Sequence, residues 1–302
     1  MFNRILRPEF LHRPQQIFRA AIQRWSGDPK EAVTCRLPWA LPVTIQASDY
    51  IGHGVYRHGL TAIEACEAAF RLIGPDDIAI DAGANQGIVT SAMAFRAGRS
   101  GRVIAIEMLP ETFQKLSHNV HRWGEVGSCI TLINSAVSDR NGTIQVGLSP
   151  DFARNSGVAY ATHEQVFPGH SSMEVECTRL DDLIPGAETV KLLKLDVERH
   201  EFAALKGAEQ LLSSHRITHI VFEDPAFSDS ESKSFLRDLG YTIFSIKNGL
   251  LKPSVHRFAP NASVGPSQQG NYDDFIATLD IAGLDAAYRK PGYQCLKSWR
   301  RP

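Results

Sequence analysis

The feature that most constrains this chain is an alternation. Short apolar runs at Asp77–Ile80, Val103–Ile106, Ile130–Ala136, Val190–Leu195, His219–Phe222 and Tyr241–Ile246 are separated, in most gaps, by stretches of helical period. Pro110–Trp123 is one such stretch, with Phe113, Leu116, Val120 and Trp123 on one side. Gly87–Ala97, Glu198–Leu212 and Ser230–Leu239 are others, and Phe202, Leu205 and Leu212 are expected to face inward. Strands spaced by helices require crossover connections, and crossovers build a mostly parallel sheet covered on both faces. Phe275–Thr278 is a last strand candidate.

Three regions depart from the alternation. Residues 1–37 form a basic arm in which Ile17, Phe18, Ala21, Ile22 and Trp25 repeat at helical spacing, with Arg13, Arg19 and Arg24 around them and breaks at Pro8 and Pro14. That arm reads either as a membrane-surface segment or organelle address, or as a helix packed on the domain or on a partner subunit, which leaves a homodimer open. Residues 38–75 are an extension ahead of the core: LPWALPVTIQ is extended, and TAIEACEAAFRLIGP is a helix that Thr61 and Glu64 would open with a capping box and Gly74-Pro75 would close. Within a core at 76–279, an insertion at about 141–180 carries two extended runs, GTIQVGLS and MEVECTRL, around the polar loop Pro150–Ser172. It is expected over the carboxyl edge of the sheet, where α/β proteins build substrate sites. A tail, 280–302, completes a single domain spanning 38–302.

Composition narrows the classes. Over 302 residues the net charge is −1, with 43% hydrophobic and 22% charged residues, so nothing global favours nucleic acid. No apolar run nears the ~18 residues of a membrane span, and MFNRILRPEF has neither the apolar stretch nor the cleavage pattern of a secretory signal. Five scattered cysteines without a CxxC fit reduced thiols and a cytoplasmic location. Asn141 and Asn261, in N-x-S/T contexts, then read as turn residues.

The chemistry begins at AIDAGANQGIVT (79–90), where a strand runs into Asp81, a loop with Gly83, Asn85 and Gly87, and a helix. The spacing is not G-x-G-x-x-G, and no P-loop occurs. A pyrophosphate rests on helix N-terminal N–H groups, and an acid two residues before the first glycine would repel it. A cationic ligand reverses the sign. S-adenosylmethionine carries an ammonium and a sulfonium and no phosphate, so Asp81 would attract its methionyl end. Glu107 ends the next strand, placed to accept both ribose hydroxyls. Met108 would pack on the adenine, and Ser135 and Ala136, after the third strand, would edge it.

A second constellation is LDVERHEF (195–202). Asp196 ends the fourth strand, Glu198 and Glu201 stand three apart at the start of the next helix with His200 between them, and Glu223 and Asp224 end the fifth strand. An alcohol that attacks a sulfonium methyl must lose its proton; Asp196, His200 and Glu223 are the candidate bases, Asp196 first because its strand end faces the crevice. Glu198 and Glu201 can equally cap the helix. Mg²⁺ could sit among such acids, but nothing in the spacing demands a metal, and none is expected. His53, His58, His163, His170 and the turn Asn155–Gly157 are weaker candidates for the acceptor cleft.

These pieces resemble the FkbM-type methyltransferases, a branch of the class I S-adenosylmethionine-dependent enzymes. The matching runs are DAGANQG (81–87), RVIAIEMLPETFQKLSHNV (102–120), LINSAVSD (132–139), RLDDLIP (179–185) and KLLKLDVERHEFAALKGAEQLL (191–212), about half the chain and in order. The resemblance implies a doubly wound, Rossmann-like sheet of seven strands with the last antiparallel, S-adenosylmethionine as cofactor, and methyl transfer to a hydroxyl of a small molecule such as a sugar or glycolipid headgroup. Two positions depart from it. Met108 stands where the family often has proline, and Arg199 where it often has glycine after the D-V-E triplet, which leaves acceptor choice open. Two rival readings are a cofactor-binding module without turnover that works through its basic arm, and a nicotinamide-dependent oxidoreductase, against which the charge of Asp81 argues.

Overall fold

The computed structural model describes residues 8–27, 29–47, 49–148, 159–162, 171–224, 229–260 and 273–299. The arm folds as α1 (Pro8–His12) and α2 (Gln15–Ser26), parted at Pro14. A hairpin of β1 (Ala32–Arg36) and β2 (Pro42–Gln46) follows, so β1 lies inside the segment read as arm. Then come α3 (Tyr50–His58) and α4 (Ile63–Leu72).

The core continues through β3 (Ile78–Ala82), α5 (Ile88–Ala97), β4 (Arg102–Ile106), α6 (Pro110–His121) and β5 (Ile130–Ile133). The inserted region holds β6 (Ala136–Val137), β7 (Gly142–Leu148), β8 (Ala159–Thr162) and β9 (Ser171–Thr178). After it come β10 (Val190–Leu195), α7 (Glu201–Lys206), α8 (Glu209–Ser213), β11 (Ile217–Asp224) and α9 (Glu231–Asp238). The chain closes with β12 (Thr242–Asn248), β13 (Pro253–Arg257), β14 (Asp273–Thr278) and α10 (Ile281–Arg289).

The main sheet has the order β13-β12-β14-β11-β10-β3-β4-β5. Five neighbours from β11 to β5 are parallel, and β14 is antiparallel to both β11 and β12. The seven expected strands are therefore present as a doubly wound sheet, and β13 adds an eighth at the edge by pairing with β12. β3 and β10 lie in the middle and are covered on both faces, which is why they read as near-continuous apolar runs. One apolar cluster, around Trp39, Phe70, Met93 and Trp123, fills the face under α4 and α5; another, around Leu193, Leu205, Phe222 and Phe275, fills the opposite face.

The insertion is a separate four-stranded sheet of order β6-β9-β7-β8. Its own small cluster (Ala136, Ile144, Val146, Val175, Cys177) closes over Leu109, three residues beyond the end of β4. The greater part of the polar loop, with His163, His170 and Asn155–Gly157, lies outside the described residues. The tail is anchored on α4: the Glu67 carboxylate accepts the N–H groups of Gln294 and Cys295 at 2.8 Å each, and Arg71 donates to the Gly292 carbonyl at 2.6 Å.

Local expectations fail in three places. The capping box at Thr61 does not form; Ala62, with φ +48°, is the N-cap, and Glu64 instead accepts a hydrogen bond from Asn248 of β12. The helix expected over Glu198–Leu212 starts three residues late and divides into α7 and α8. Gly207 at the division packs so closely that a Cβ there would lie 1.9 Å from the Ser138 carbonyl oxygen. Leu205 and Leu212 are buried, but Phe202 stays exposed, with its ring edge-on to Phe235.

Candidate active site

The glycine loop is shaped by contacts to both neighbouring strand tips. Gly83 has φ +77°, and a Cβ on it would fall 1.8 Å from the carbonyl oxygen of Asp196, so the ends of β3 and β10 cross without room for a side chain. The N–H groups of Gly83 and Ala84 both donate to the Ile106 carbonyl at 2.9 Å. Gly87, φ +89°, is the N-cap of α5, and a Cβ there would meet Leu116 at 2.7 Å. Between them Gln86 is buried and donates to Asp49 at 2.9 Å, while the same carboxylate accepts the Gly52 N–H at 2.6 Å to cap α3. The extension that carries His53 and His58 is thereby docked on the loop.

Asp81 is fully buried. Its Oδ2 accepts from Thr90 at 2.5 Å, and its Oδ1 lies 3.3 Å from Lys194 Nζ without a hydrogen bond. Lys194 was not foreseen from the sequence. It stands in the central strand β10, 3.3 Å from Asp196 Oδ2 as well, and donates to the Gly83 carbonyl at 2.5 Å. Burial pulls its pKa down, but Asp196 and Asp81 outweigh that and raise it above the ordinary value. The available signal was a lysine two residues before Asp196 in a strand that, apart from Lys191, is apolar.

Glu107 is buried, which raises its pKa, while two backbone N–H groups act the other way. Its Oε2 accepts from Asn85 and its Oε1 from Leu109, both at 2.9 Å. Each oxygen keeps a second lone pair for a ligand hydroxyl. Asn134 donates to the carbonyls of Glu107 and Met108 at 2.8 and 3.1 Å and ties the third strand to the second. Met108 is half-buried against the insertion cluster. The Ser135 hydroxyl lies 3.0 Å from the Ala136 carbonyl and 3.1 Å from that of Glu176, so its contacts are to the inserted sheet, in which Ala136 pairs with Cys177.

The residues fit a ligand with an ammonium and hydroxyls. Among the described residues the buried Asp81 Oδ1, near the end of β3, and Asn85 Oδ1 and Gln86 Oε1, in the glycine loop, have no hydrogen-bond partner. Asn85 adopts φ +49°, a left-handed conformation that asparagine tolerates.

Beyond β10 the acids behave differently. Glu198 and Arg199 lie before α7 with φ +53° and +71°, and the Glu201 carboxylate closes their turn by accepting from Val197 at 3.1 Å and Arg199 at 3.3 Å. Arg199 thus occupies a backbone position suited to glycine. Glu223 on β11 and Asp274 on β14 are direct cross-strand partners and share a face. Burial, then Asp196 and Glu223, push the Glu198 pKa up to about 8. Burial and Asp196 push Glu223 up to about 7, and Asp274 is raised by burial, Glu64 and Glu223. The structure therefore brings Asp196, Glu198 and Glu223 together, and adds Asp274 and Glu64, which sequence reading missed.

Two other candidates turn elsewhere. His200 is buried at the start of α7 with Nε2 3.0 Å from the Ser138 hydroxyl. Asp224, on the opposite face of β11 from Glu223, pairs with Lys233 at 3.2 Å and accepts from Ser230, the N-cap of α9. Among the described residues, no three His, Cys, Asp or Glu side chains are grouped so as to hold a metal ion.

The chain is similar to known proteins over the region that carries these motifs. The FkbM methyltransferase domain matches residues 81–243. The methyltransferase sdnD of Sordaria araneosa is 25% identical over 194 residues, 54% of this chain and 73% of that protein. The hexuronic acid methyltransferase AglP of Haloferax volcanii is 32% identical over 141 residues, 46% of this chain and 53% of AglP, so the chain matches about half of that relative's length. A crystal structure of the FkbM methyltransferase of Methylobacillus flagellatus aligns with 16% identity and a TM-score of 0.41, covering 70% of this chain and 50% of that one. From the glycine loop to the fifth strand the motifs, the fold and the matched domain coincide: the chain belongs to the FkbM methyltransferase family, and its cofactor is S-adenosylmethionine.

Proposed function

We propose that this methyltransferase acts on a hydroxyl oxygen of a small molecule, a sugar or a glycolipid headgroup. The observation that carries the reading is the gathering of Asp196, Glu198, Glu223 and Asp274 at the carboxyl edge of the sheet, next to the glycine loop. A hydroxyl nucleophile must give up a proton, and a carboxyl group whose pKa lies near neutrality is suited to take it. Glu223, raised to about 7, meets that condition. Asp196 is the nearest of the group to the loop, through Lys194 and through its own N–H to the Ala82 carbonyl at 3.2 Å.

When bound, the cofactor supplies an electrophilic methyl group on sulfur. Asp81 and Asn85 offer acceptors to its methionyl end, and Glu107 accepts its ribose hydroxyls. Asp196 and Glu223 orient the acceptor hydroxyl and remove its proton. His200, held by Ser138, stands at the N-cap of α7 directly after the turn that the Glu201 carboxylate closes. The relative AglP acts, by its name, on a hexuronic acid. In this chain the acceptor side carries five or more carboxyls around one lysine, and we infer a preference for a neutral sugar over a uronate, because a further carboxylate there would be repelled.

Calorimetry and product analysis test this together. Asp81→Ala and Glu107→Ala should each weaken cofactor binding about tenfold or more. Asp196→Asn should keep that affinity while methylation of a neutral sugar acceptor falls about 10²–10⁴-fold. Unchanged cofactor affinity in both alanine variants would remove the site assignment. Cofactor binding without labelled product from any cell extract would favour a module without turnover.

A further inference from the structure

The described side chains of α2 run against the pattern of an ordinary surface helix. A surface helix buries its apolar stripe and shows its polar side to water. Here Gln16 is buried, against Gly59 at the end of α3, while Phe18 is 75% and Trp25 96% exposed and Ile17 is also exposed. Leu11 of α1 is exposed as well, and within α2 the interval of seven puts the exposed Phe18 and Trp25 along one line. Four of the large hydrophobic side chains exposed on the described surface lie within these 15 positions.

Charge accompanies the apolar line. From Leu11 to Gly27 there are three arginines and no acid, and at 100° per residue Arg19 and Arg24 fall at the two borders of the apolar arc. Residues 1–30 hold six Lys and Arg against two Asp and Glu, a net charge of +4, whereas the remaining 272 residues carry −5. A protein partner would need only the apolar face. An apolar arc of Trp, Phe and Ile bordered by arginines, on a chain that is otherwise acidic, matches a bilayer surface with anionic headgroups. Among the described residues no helix is long and apolar enough to cross a membrane.

We propose that α1 and α2 form a docking surface for an anionic lipid bilayer, with Phe18 and Trp25 entering the headgroup layer and the net positive charge of the segment attracted to its anionic surface. This surface goes beyond the proposed methyl transfer and needs no acceptor to be detected. Trp39 and Trp123 are buried and Trp299 is partly so, which leaves Trp25 as the tryptophan in water.

The 302-residue chain is mixed with vesicles of phosphatidylcholine alone or with about one third phosphatidylglycerol, and binding is read by flotation and tryptophan emission. The expected result is flotation and a blue shift with the anionic vesicles only, weakened by about 0.5 M salt. Phe18→Asp with Trp25→Asp, and separately Arg19→Glu with Arg24→Glu, should each weaken it about tenfold or more while cofactor affinity is unchanged. No flotation of the wild type, equal flotation with neutral vesicles, or a concentration-dependent dimer abolished by the Phe18 and Trp25 changes would each overturn the proposal. Cofactor affinity, measured in parallel, reports on the methyltransferase site separately.

Discussion

The two halves of the carboxyl edge use the same residue types and satisfy them in different ways. On the cofactor side Glu107 has a backbone N–H on each oxygen, and Asp81 has Thr90 and Lys194. On the acceptor side the neighbours acting on Glu198, Glu223 and Asp274 are mostly other carboxyls. Satisfied acids hold a shape. Crowded acids hold protons, because two like charges side by side cannot both ionise at their ordinary pKa. Lys194 joins the halves, since its ammonium lies 3.3 Å from Asp81 and from Asp196.

The largest test of that contrast removes the joint. Lys194→Met leaves two acids without their cation, one of them fully buried, and should cost about 3–5 kcal/mol in a denaturant titration. A loss below about 1 kcal/mol would show that the halves stand independently. Next in size is Gly83→Ala, which forces a Cβ against the Asp196 carbonyl and a left-handed φ on alanine. A cost of about 3 kcal/mol is expected, seen as a melting temperature lower by several degrees.

The smallest effect is the most specific. In the fold Glu198 and Glu223 titrate near 8 and 7, whereas the unfolded chain releases those protons near the ordinary 4.5. Between about pH 4.5 and 8 the unfolded state therefore binds fewer protons, and stability falls as pH rises through that window. Glu198→Gln and Glu223→Gln should flatten this slope and raise the melting temperature at pH 8 by about 2–4 °C. Glu107→Gln should flatten it less, because two backbone N–H groups oppose the burial that raises the Glu107 pKa. Equal slopes for all three variants would dissolve the distinction between the halves.

The same contrast explains what could be read from the sequence. The seven main strands and the glycine loop are written in contiguous residues, and period, glycine spacing and strand-end acids were enough to find them. Asp274 lies 78 positions after Asp196 and becomes relevant only because β14 inserts between β11 and β12. Lys194 and Glu64 acquire their roles across strands in the same manner. Helix ends failed for a related reason. Glu64 left the capping position for Asn248, and the Gly207 backbone stops α7 where it meets Ser138, so tertiary contact overrode a local signal. The Ser135 hydroxyl was foreseen at the adenine edge, yet its hydrogen bonds run to the inserted sheet.

That inserted sheet has a hydrophobic cluster of its own, apart from the two beneath the main sheet. In engineering terms it is a replaceable part. Its strands β7 to β9 can be exchanged with those of a relative by cutting after Ser138 and after Thr178, because Val137 belongs to the main core and Ser138 holds His200, whereas the buried side chains of β7 and β9 pack in the small cluster. A chimera joined at those two points should retain the melting cooperativity of the parent, and its loops would be the natural place to select new acceptors without disturbing the glycine loop.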